Sequence, residues 1–279
     1  MEVIQQIQTQ HKNTNEKNIY SDIAKNEDSP ISVSRDIGYK KPPFLVDKCM
    51  VVSAVTKNNN IYGKIAEKSY FITTGELINY EQYTTISLVT NPDNLFNPKK
   101  GIYVTWNQYI KWKNSENYDP NKDIYALDNA CNFFMKGSEW EREGSITIFK
   151  KRVVILEQNV WIRIKGSTSR NSSPKSFNIY VRKKYGKDKI KSKDLLSNSF
   201  DKDGNPITEY DSISLRSISF LNRLDNQFSI KLIHDRKNKN NYWNEKLCFI
   251  LNGEYWGMYD LMEKFSSDFF SKHYGIKIM

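Results

Sequence analysis

A short polar stretch in the middle of the chain contains the residue types best suited to binding an anion. Residues 166–174 are mostly glycine, serine, threonine and asparagine, with Arg170 among them and Lys175 directly after them. Backbone N–H groups and small side chains let an anion approach closely, while a guanidinium and an ammonium group supply the opposite charge. The stretch therefore predicts an anion-binding turn. A basic surface hairpin without a ligand is the alternative, because a single glycine is far weaker than a phosphate-loop signature.

Two alternating stretches flank this turn and are predicted to position it. Residues 161–165 place isoleucines on one face and Arg163 and Lys165 on the other. Residues 176–181 alternate in the same way. Such alternation is typical of half-buried strands, so we predict a hairpin with the polar turn at its tip.

The composition limits both the fold and the partners. Of 279 residues, 38% are hydrophobic and 13% aromatic, which is enough for a sizeable core, and the aromatic and β-branched content favours strands. A formal net charge of +10 favours anionic partners such as phosphates, nucleic acid or an acidic polymer, and the alternative is a diffuse positive charge that serves no partner. The densest basic block, residues 182–193, contains a single aromatic residue. It favours a solvated loop and argues against nucleic acid as the partner.

Several other chemistries find no support in the sequence. Cys49, Cys131 and Cys248 are odd in number and far apart, so they indicate neither a zinc ribbon nor a disulfide framework. The three histidines form no metalloprotease pattern and suggest no catalytic triad. No apolar run approaches the length of a membrane-spanning helix, and the first residues contain no apolar signal-peptide core.

The chain is predicted to divide into three parts. Residues 1–38 are polar and poorly periodic, which predicts a flexible lead or a remnant of an upstream domain, although the apolar spacing within 3–7 indicates the start of a short helix. Residues 39–78 contain short apolar runs between turn signals, a pattern typical of part of a β-sandwich followed by a linker. Residues 79–279 form the main part.

The main part is predicted to consist mostly of strands. Residues 106–129 are predicted to be a loop. Helical spacing appears at 219–233 and again from 263 to 274, where Gly275 would end the helix. The predicted strands lie at 85–90, 145–149, 153–156, 161–165, 176–181, 213–215, 247–251 and 254–259.

Several local patterns follow one another along the main part. Residues 86–90, 94–96, 101–104 and 140–142 come first, then R-x-x-G-x-x-S-R-x-x-x-x-K-S-F from Arg163, then N-G-x-x-x-G-x-Y-x-x-x-E from Asn252. In this order they resemble the CotH kinase family, atypical protein kinases known from bacterial spore coats. The resemblance covers roughly residues 84–279. The Asn252–Gly253 pair also predicts a type I′ hairpin turn.

A second resemblance covers the upstream part. A Y-x-x-P segment at 39–42, a strand at 51–55 and S-Y-F-I at 69–72 are similar to the last strands of the chitobiase C-terminal-like β-sandwich. The earlier strands of that module have no counterpart. Half a sandwich would expose sheet edges and an apolar face, so we expect the chain to be truncated at its N-terminus.

The two resemblances imply a fold class and a function. The fold class is α+β: the β-rich N-lobe of an atypical protein-kinase-like fold, truncated before the helical C-lobe, with a partial β-sandwich segment upstream. The implied activity is ATP-dependent phosphorylation of Ser or Thr in spore coat or surface proteins, with ATP and Mg²⁺ as cofactors. The implied location is the spore coat or the cell surface.

The CotH resemblance also implies where ATP binds. Lys175 would contact the nucleotide phosphates, and Arg170 would share this role because its planar fork matches phosphate oxygens. Tyr259 would begin a hinge over 259–262 whose backbone groups face the adenine. Glu263, at the start of the next helix, would contact the ribose or hold the lobe junction. No catalytic residue is assigned.

This sequence departs from the family pattern in two places. Residues 215–218 read L-R-S-I where the family often has L-R-N-G, so no ligand role is assigned to Arg216. The later W-D-x-D motif has no counterpart, and the acidic pair at Asp201 and Asp203 lies in a predicted surface turn. We therefore expect no Mg²⁺ ligands here and no phosphate transfer by this chain alone. The alternative functions are a non-catalytic basic β-rich binding protein and a structural spore-coat protein.

Overall fold

The structure is a computed structural model of the chain. It describes residues 2–8, 48–59, 61–63, 65–71, 82–121, 131–171, 174–183, 188–217, 228–229, 232 and 244–276. Over these ranges the chain is rich in strands and has few helices, which confirms the β-rich character predicted from the sequence. No helix within them combines the length and the apolar character needed to cross a membrane.

The strands and helices are numbered in chain order. The strands are β1 (Glu2–Gln8), β2 (Met50–Asn58), β3 (Ile61–Tyr62), β4 (Ala66–Tyr70), β5 (Thr84–Val89), β6 (Arg142–Lys150), β7 (Val153–Lys165), β8 (Ser176–Tyr180), β9 (Ile190–Lys191), β10 (Glu209–Tyr210), β11 (Ser212–Ser217), β12 (Asn244–Leu251) and β13 (Glu254–Glu263). The α-helices are α1 (Pro92–Phe96), α2 (Trp106–Lys113) and α3 (Ser267–Tyr274). Short 3₁₀ helices lie at Asn132–Phe134, Ser138–Trp140 and Thr168–Asn171.

Seven strands form one sheet that closes into a barrel, in the order β11-β13-β12-β5-β6-β7-β8. Neighbouring strands run antiparallel except β12 and β5, which are parallel. The pairing of β8 with β11 completes the circle, so these strands leave no open edge. Apolar side chains from all seven strands fill the interior and form the main core; they include Ile86, Ile148, Ile164, Phe177, Leu215, Phe249 and Leu261.

The predicted hairpin around the polar turn is confirmed. Strands β7 and β8 pair antiparallel, with Ile162 opposite Ile179 and Ile164 opposite Phe177. These four side chains lie in the core. Successive side chains of a strand point to opposite faces of the sheet. Arg163 on β7 and Asn178 on β8, which lie between these core residues, therefore point to the outer face.

The predicted hairpin turn between β12 and β13 is also confirmed. Asn252 and Gly253 both adopt positive φ, 49° and 84°, as a type I′ turn requires. Asn252 additionally accepts a hydrogen bond from the backbone N–H of Thr90 at 2.8 Å. The turn is thereby fixed to the end of the neighbouring strand β5.

A smaller sheet packs beside the barrel. In it β2 pairs with β1 on one side and with β3 and β4 on the other. The Ser69 and Ser87 hydroxyls lie 2.9 Å apart across the junction, and the Ser145 hydroxyl donates to Glu67 at 3.0 Å. The prediction of a short helix near the start of the chain is wrong, because Glu2–Gln8 forms a strand that pairs with residues 51–57 of β2.

One predicted element of the main part differs from the structure, and another lies mostly outside the described residues. The loop predicted over 106–129 is wrong at its start, which forms α2. Trp112 of α2 packs against Cys131, Phe133 and Phe134, so tertiary contacts that the local sequence does not reveal stabilise this helix. Of the helix predicted at 219–233, the structure describes residues 228, 229 and 232 as helical, and the rest lies outside the described residues.

The last helix begins later than predicted. Glu263 is the final residue of β13, and α3 begins at Ser267 after the Ser266 hydroxyl accepts a hydrogen bond from the N–H of Phe269. Gly275 ends the helix at φ 69°, which confirms the predicted cap.

Candidate functional site

Residues from distant parts of the chain meet in a buried hydrogen-bond network inside the barrel. The backbone N–H of Lys175 donates to the Tyr103 hydroxyl at 2.9 Å, and the Trp256 indole N–H donates to the same oxygen at 3.2 Å. The Tyr259 hydroxyl donates to the carbonyl of Lys175 at 2.9 Å. We call Tyr103, Arg170, Lys175, Trp256 and Tyr259 the motif network.

The Lys175 side chain is fully enclosed. Its exposed fraction is 0%, and its Nζ donates to the carbonyl of Arg170. The Nζ lies 3.7 Å from the ring centroid of Phe133 and 5.5 Å from that of Tyr103. Burial holds the pKa of Lys175 well below its usual 10.5, because the ammonium form loses its hydration there. The amine thus contacts the protein itself and helps to shape the turn.

Arg170 also contacts the protein's own backbone. Its Nε donates to the carbonyl of Gly166 at 2.6 Å, across the polar turn. Its Nη1 lies 2.9 Å from the carbonyl of Met135 and slightly farther from those of Phe133 and Phe134. The guanidinium therefore ties the turn to the 3₁₀ segment after residue 131.

Tyr259 joins this network, but Glu263 does not. The two lie four residues apart on β13, which corresponds to about 13 Å along a strand. Glu263 Oε2 lies 2.9 Å from Nε2 of His273 on α3, and both side chains are buried. The structure brings together three of the four predicted ATP-binding residues and places the fourth further along the strand.

The segment predicted as a hinge is part of a central strand. Residues 259–263 pair with β11, from Ser217 opposite Tyr259 to Ile213 opposite Glu263. Residues 259–262 also pair with β12 on the other side. The structure thus differs from the predicted hinge. The backbone groups of 259–262 that were expected to face adenine belong to a strand that is paired with a neighbouring strand on each side.

A second group of residues lies on the outer face of β7, β8, β11 and β13. Arg163 faces outward because Ile162 and Ile164 beside it point into the core. Lys165 lies on the same side two residues further along. Across the sheet, Arg216 of β11 lies opposite Asp260 of β13 in the strand register. Lys264 lies just beyond β13, where its backbone N–H donates to the carbonyl of Ser212. Arg182 follows β8. We call these cations the cationic face: Arg163, Lys165, Arg182, Arg216 and Lys264.

Tyr180 of β8 connects three of these cations. Its ring centroid lies 5.0 Å from Cζ of Arg163, 5.4 Å from Cζ of Arg182 and 5.7 Å from Nζ of Lys264. The Tyr180 hydroxyl accepts a hydrogen bond from Nη2 of Arg163 at 2.7 Å. The negative face of an aromatic ring attracts cations, so Tyr180 gathers these side chains in one place.

Positive charge exceeds negative charge on the cationic face. Glu141, whose side chain is buried, pairs with Arg182, and Asp260 pairs with Lys246 at 3.1 Å. The pKa of Lys165 is lowered by burial and then by repulsion from Arg216 and Lys264. Burial also lowers the pKa of Lys264, together with repulsion from Arg163 and Arg182. A bound anion would relieve this repulsion.

The sequence contained part of the signal for this face. Its alternation predicts Arg163 and Lys165 on one polar face, without indicating a role for either of them or for Arg216. The strand register is what brings Arg216 and Lys264 beside the β7 cations. That register brings together cations that lie 51 (216 − 165) to 101 (264 − 163) positions apart in the chain, which local spacing does not specify.

The described residues do not provide a magnesium site. Within the part of the chain that the structure describes, no group of three histidine, cysteine, aspartate or glutamate side chains is suited to hold a metal ion. Mg²⁺ prefers carboxylate oxygens in octahedral geometry. We therefore assign no Mg²⁺ ligand to the described residues.

Comparison with known proteins does not place the chain in a family. No protein-family model matches it, and no curated protein matches it. The resemblance to the CotH kinase family therefore depends on the sequence motifs alone and stays a prediction.

Proposed function

We propose that this chain is the β-rich, nucleotide-binding part of a CotH-type atypical protein kinase, which transfers phosphate from ATP to Ser or Thr of spore coat or surface proteins. The observation that supports this proposal is the convergence of the motif residues. Segments that match the family pattern around Tyr103, Lys175 and Tyr259 meet in one buried network. Such convergence is what a shared structural role of the motif segments predicts.

Arg170 and Lys175 act in this proposal by positioning the chain. Both side chains contact backbone carbonyls, and both are almost fully enclosed. They hold the polar turn against the 3₁₀ segment and β13. Contact with phosphates is then the task of cations that reach solvent.

The residues present fit ATP better than they fit Mg²⁺. Phosphoryl transfer requires cations on the phosphates and carboxylates that hold Mg²⁺. The half-buried and exposed guanidinium and ammonium groups of the cationic face match the first requirement. Mg²⁺, when bound, would neutralise charge on the β- and γ-phosphates, and no described residue is assigned to it.

A thermal-shift titration tests the proposal. ATP with Mg²⁺ should raise the unfolding temperature, because a ligand at about 100 times its Kd stabilises a one-site protein by about 2.7 kcal/mol. GTP at the same concentration is the control and should shift it less. Equal shifts with both nucleotides, or no shift with either, would contradict adenine-nucleotide binding.

A second candidate function is supported by the cationic face together with the net charge of +10. A non-catalytic basic module would dock this face on an anionic polymer of the cell surface. Its binding would weaken steeply as salt rises, because exposed charges are screened, and it would show no preference for adenine. A salt series with ATP and with GTP separates the two functions.

A further inference from the structure

We propose that the cationic face is a binding site for an oligophosphate chain, that is, several linked phosphate groups. Such a chain occurs in a nucleoside triphosphate and in inorganic tripolyphosphate. This inference deepens the proposed function and relies on it only for the nucleotide as the source of the phosphates. The site itself is argued from the contacts of Arg163, Lys165, Arg182, Arg216 and Lys264.

The placement of these cations suits an extended anion. Neighbouring strands lie about 4.8 Å apart, and residues i and i+2 of one strand are about 7 Å apart. Arg163 and Lys165 share one strand, while Arg216 and Lys264 belong to the β11 and β13 side of the same face. A linear anion with several charges can contact several of these groups at once, whereas a compact anion reaches only some of them.

Two of these side chains, Arg163 and Arg182, are held in position before a ligand arrives. Arg163 Nη1 donates to the carbonyl of Gly137 at 3.2 Å, and its Nη2 donates to Tyr180. Arg182 is fixed by its ion pair with Glu141. Because these contacts order the flexible side chains in advance, less conformational entropy is lost on binding.

One donor on this face has a specific need for an acceptor. Nε of Arg163 is buried and has no hydrogen-bond partner within the described part of the chain. A buried donor without an acceptor is costly. Guanidinium groups bind phosphate oxygens through paired N–H donors, so a phosphate oxygen would supply the acceptor that this nitrogen lacks once the side chain turns its Nε edge toward the ligand.

The excess of positive charge selects a multivalent ligand. Among the described residues on or beside this face, the carboxylates of Glu141 and Asp260 are already paired, with Arg182 and with Lys246 of the neighbouring strand. Burial is the largest cause of the lowered pKa of both Lys165 and Lys264, and repulsion among the cations lowers it further. One negative charge would relieve little of this repulsion, whereas an oligophosphate would relieve much more of it.

Isothermal titration calorimetry on the full chain tests the site with two ligands, inorganic tripolyphosphate and ATP. We expect the double variant Lys165→Gln/Lys264→Gln to bind both ligands roughly tenfold or more weakly. The control is Lys193→Gln, an exposed lysine outside the face, which should bind like the parent. Thermal melts verify that each variant is folded. If the double variant fails to fold, the same titrations on the exposed Arg216→Gln variant test the site, and we expect a smaller loss of affinity for both ligands.

The two ligands separate the sources of the phosphate chain. Similar affinity for tripolyphosphate and ATP, lost in the variants, assigns the face to linked phosphates in general. Affinity for ATP alone, lost in the variants, assigns it to a nucleotide. Parent-like binding of both ligands by the variants, or no binding of either ligand by the parent, overturns the inference.

The same data distinguish this inference from the proposed function. Tripolyphosphate binding that depends on the face, without any preference for ATP over GTP, would leave the site standing and contradict the kinase proposal. Adenine-selective binding that is unchanged by substitution of Lys165, Lys264 and Arg216 would support the kinase proposal and contradict the oligophosphate site.

Discussion

The motif network and the cationic face both contain lysines of the same hairpin, yet their surroundings differ completely. Lys175 is enclosed by aromatic rings and a backbone carbonyl. Lys165, ten residues earlier, is half-buried among other cations. Burial is the main cause of the lowered pKa in both cases. The two lysines differ in their access to a ligand. An anion can reach the half-buried Lys165, whereas the enclosed amine of Lys175 already donates to a backbone carbonyl of the protein.

Strand parity explains this difference. Lys175 directly precedes β8 and has the same parity as Phe177 and Ile179, which point into the barrel. Lys165 has the parity opposite to Ile162 and Ile164 and therefore points outward. The position of a lysine in a motif thus indicates less about its role than the face of the strand on which it lies.

The largest expected effect separates the two lysines by stability. Lys175→Ala should lower the free energy of unfolding by about 2–5 kcal/mol, because it leaves a cavity beside Phe133 and Tyr103. Lys175→Met, which keeps most of the volume, should cost less than about 1.5 kcal/mol. Denaturant-induced unfolding measures both. Equal losses in the two variants would mean that the amine and not its volume stabilises the network.

The next effect concerns the shared acceptor of the motif network. Tyr103→Phe should cost about 2–4 kcal/mol, because the N–H of Lys175 and the indole of Trp256 both lose that oxygen. Tyr259→Phe removes one hydrogen bond and should cost about 1 kcal/mol. Unfolding curves in urea would show this order, and a larger loss for Tyr259→Phe would contradict the network as described.

The stability of the parent should depend on pH through Lys175. The pKa of Lys175 is close to the ordinary 10.5 in the unfolded chain and lower in the folded protein. At a pH between the folded-state pKa and 10.5, the unfolded chain therefore binds the proton more tightly. Raising the pH through this window should therefore stabilise the parent relative to Lys175→Met, by at most about 1.4 kcal/mol per pH unit. Thermal melts at a series of pH values measure this difference. Parallel curves for the two proteins would contradict the lowered pKa.

The smallest expected effect is on the cationic face. Lys264→Gln should change the free energy of unfolding by no more than about 0.5 kcal/mol, and in the stabilising direction at low salt, because it removes repulsion from Arg163 and Arg182. Added salt should reduce the gain. A clear loss of stability would show that Lys264 supports the fold, and it would contradict a role for Lys264 in ligand binding alone.

Local patterns in the sequence predict the hairpins well. Alternation along β7 and β8 and the Asn252–Gly253 pair each specify structure within a few residues, and both predictions are confirmed. Helix α2 was missed because packing of Trp112 against residues after 130 stabilises it. The start of α3 was placed too early because aromatic spacing continues through Phe265 before the helix begins.

The candidate site was predicted only in part. Arg170, Lys175 and Tyr259, which the motif groups as ATP-binding residues, lie together because Nζ of Lys175 donates to the carbonyl of Arg170 and the Tyr259 hydroxyl donates to the carbonyl of Lys175. Their role in ATP binding stays a prediction. Their burial follows from parity and from the closed barrel. The cationic face depends on the pairing of β11 with β8 and β13, and non-local pairing of this kind is not visible in residue spacing.

The most direct test of this account is the affinity for tripolyphosphate measured in two variants side by side, Lys175→Met and Lys165→Gln/Lys264→Gln. We predict that Lys175→Met binds like the parent while the double variant binds roughly tenfold more weakly. Loss of affinity in Lys175→Met, with parent-like binding by the double variant, would contradict the account and return the phosphate site to the buried lysine.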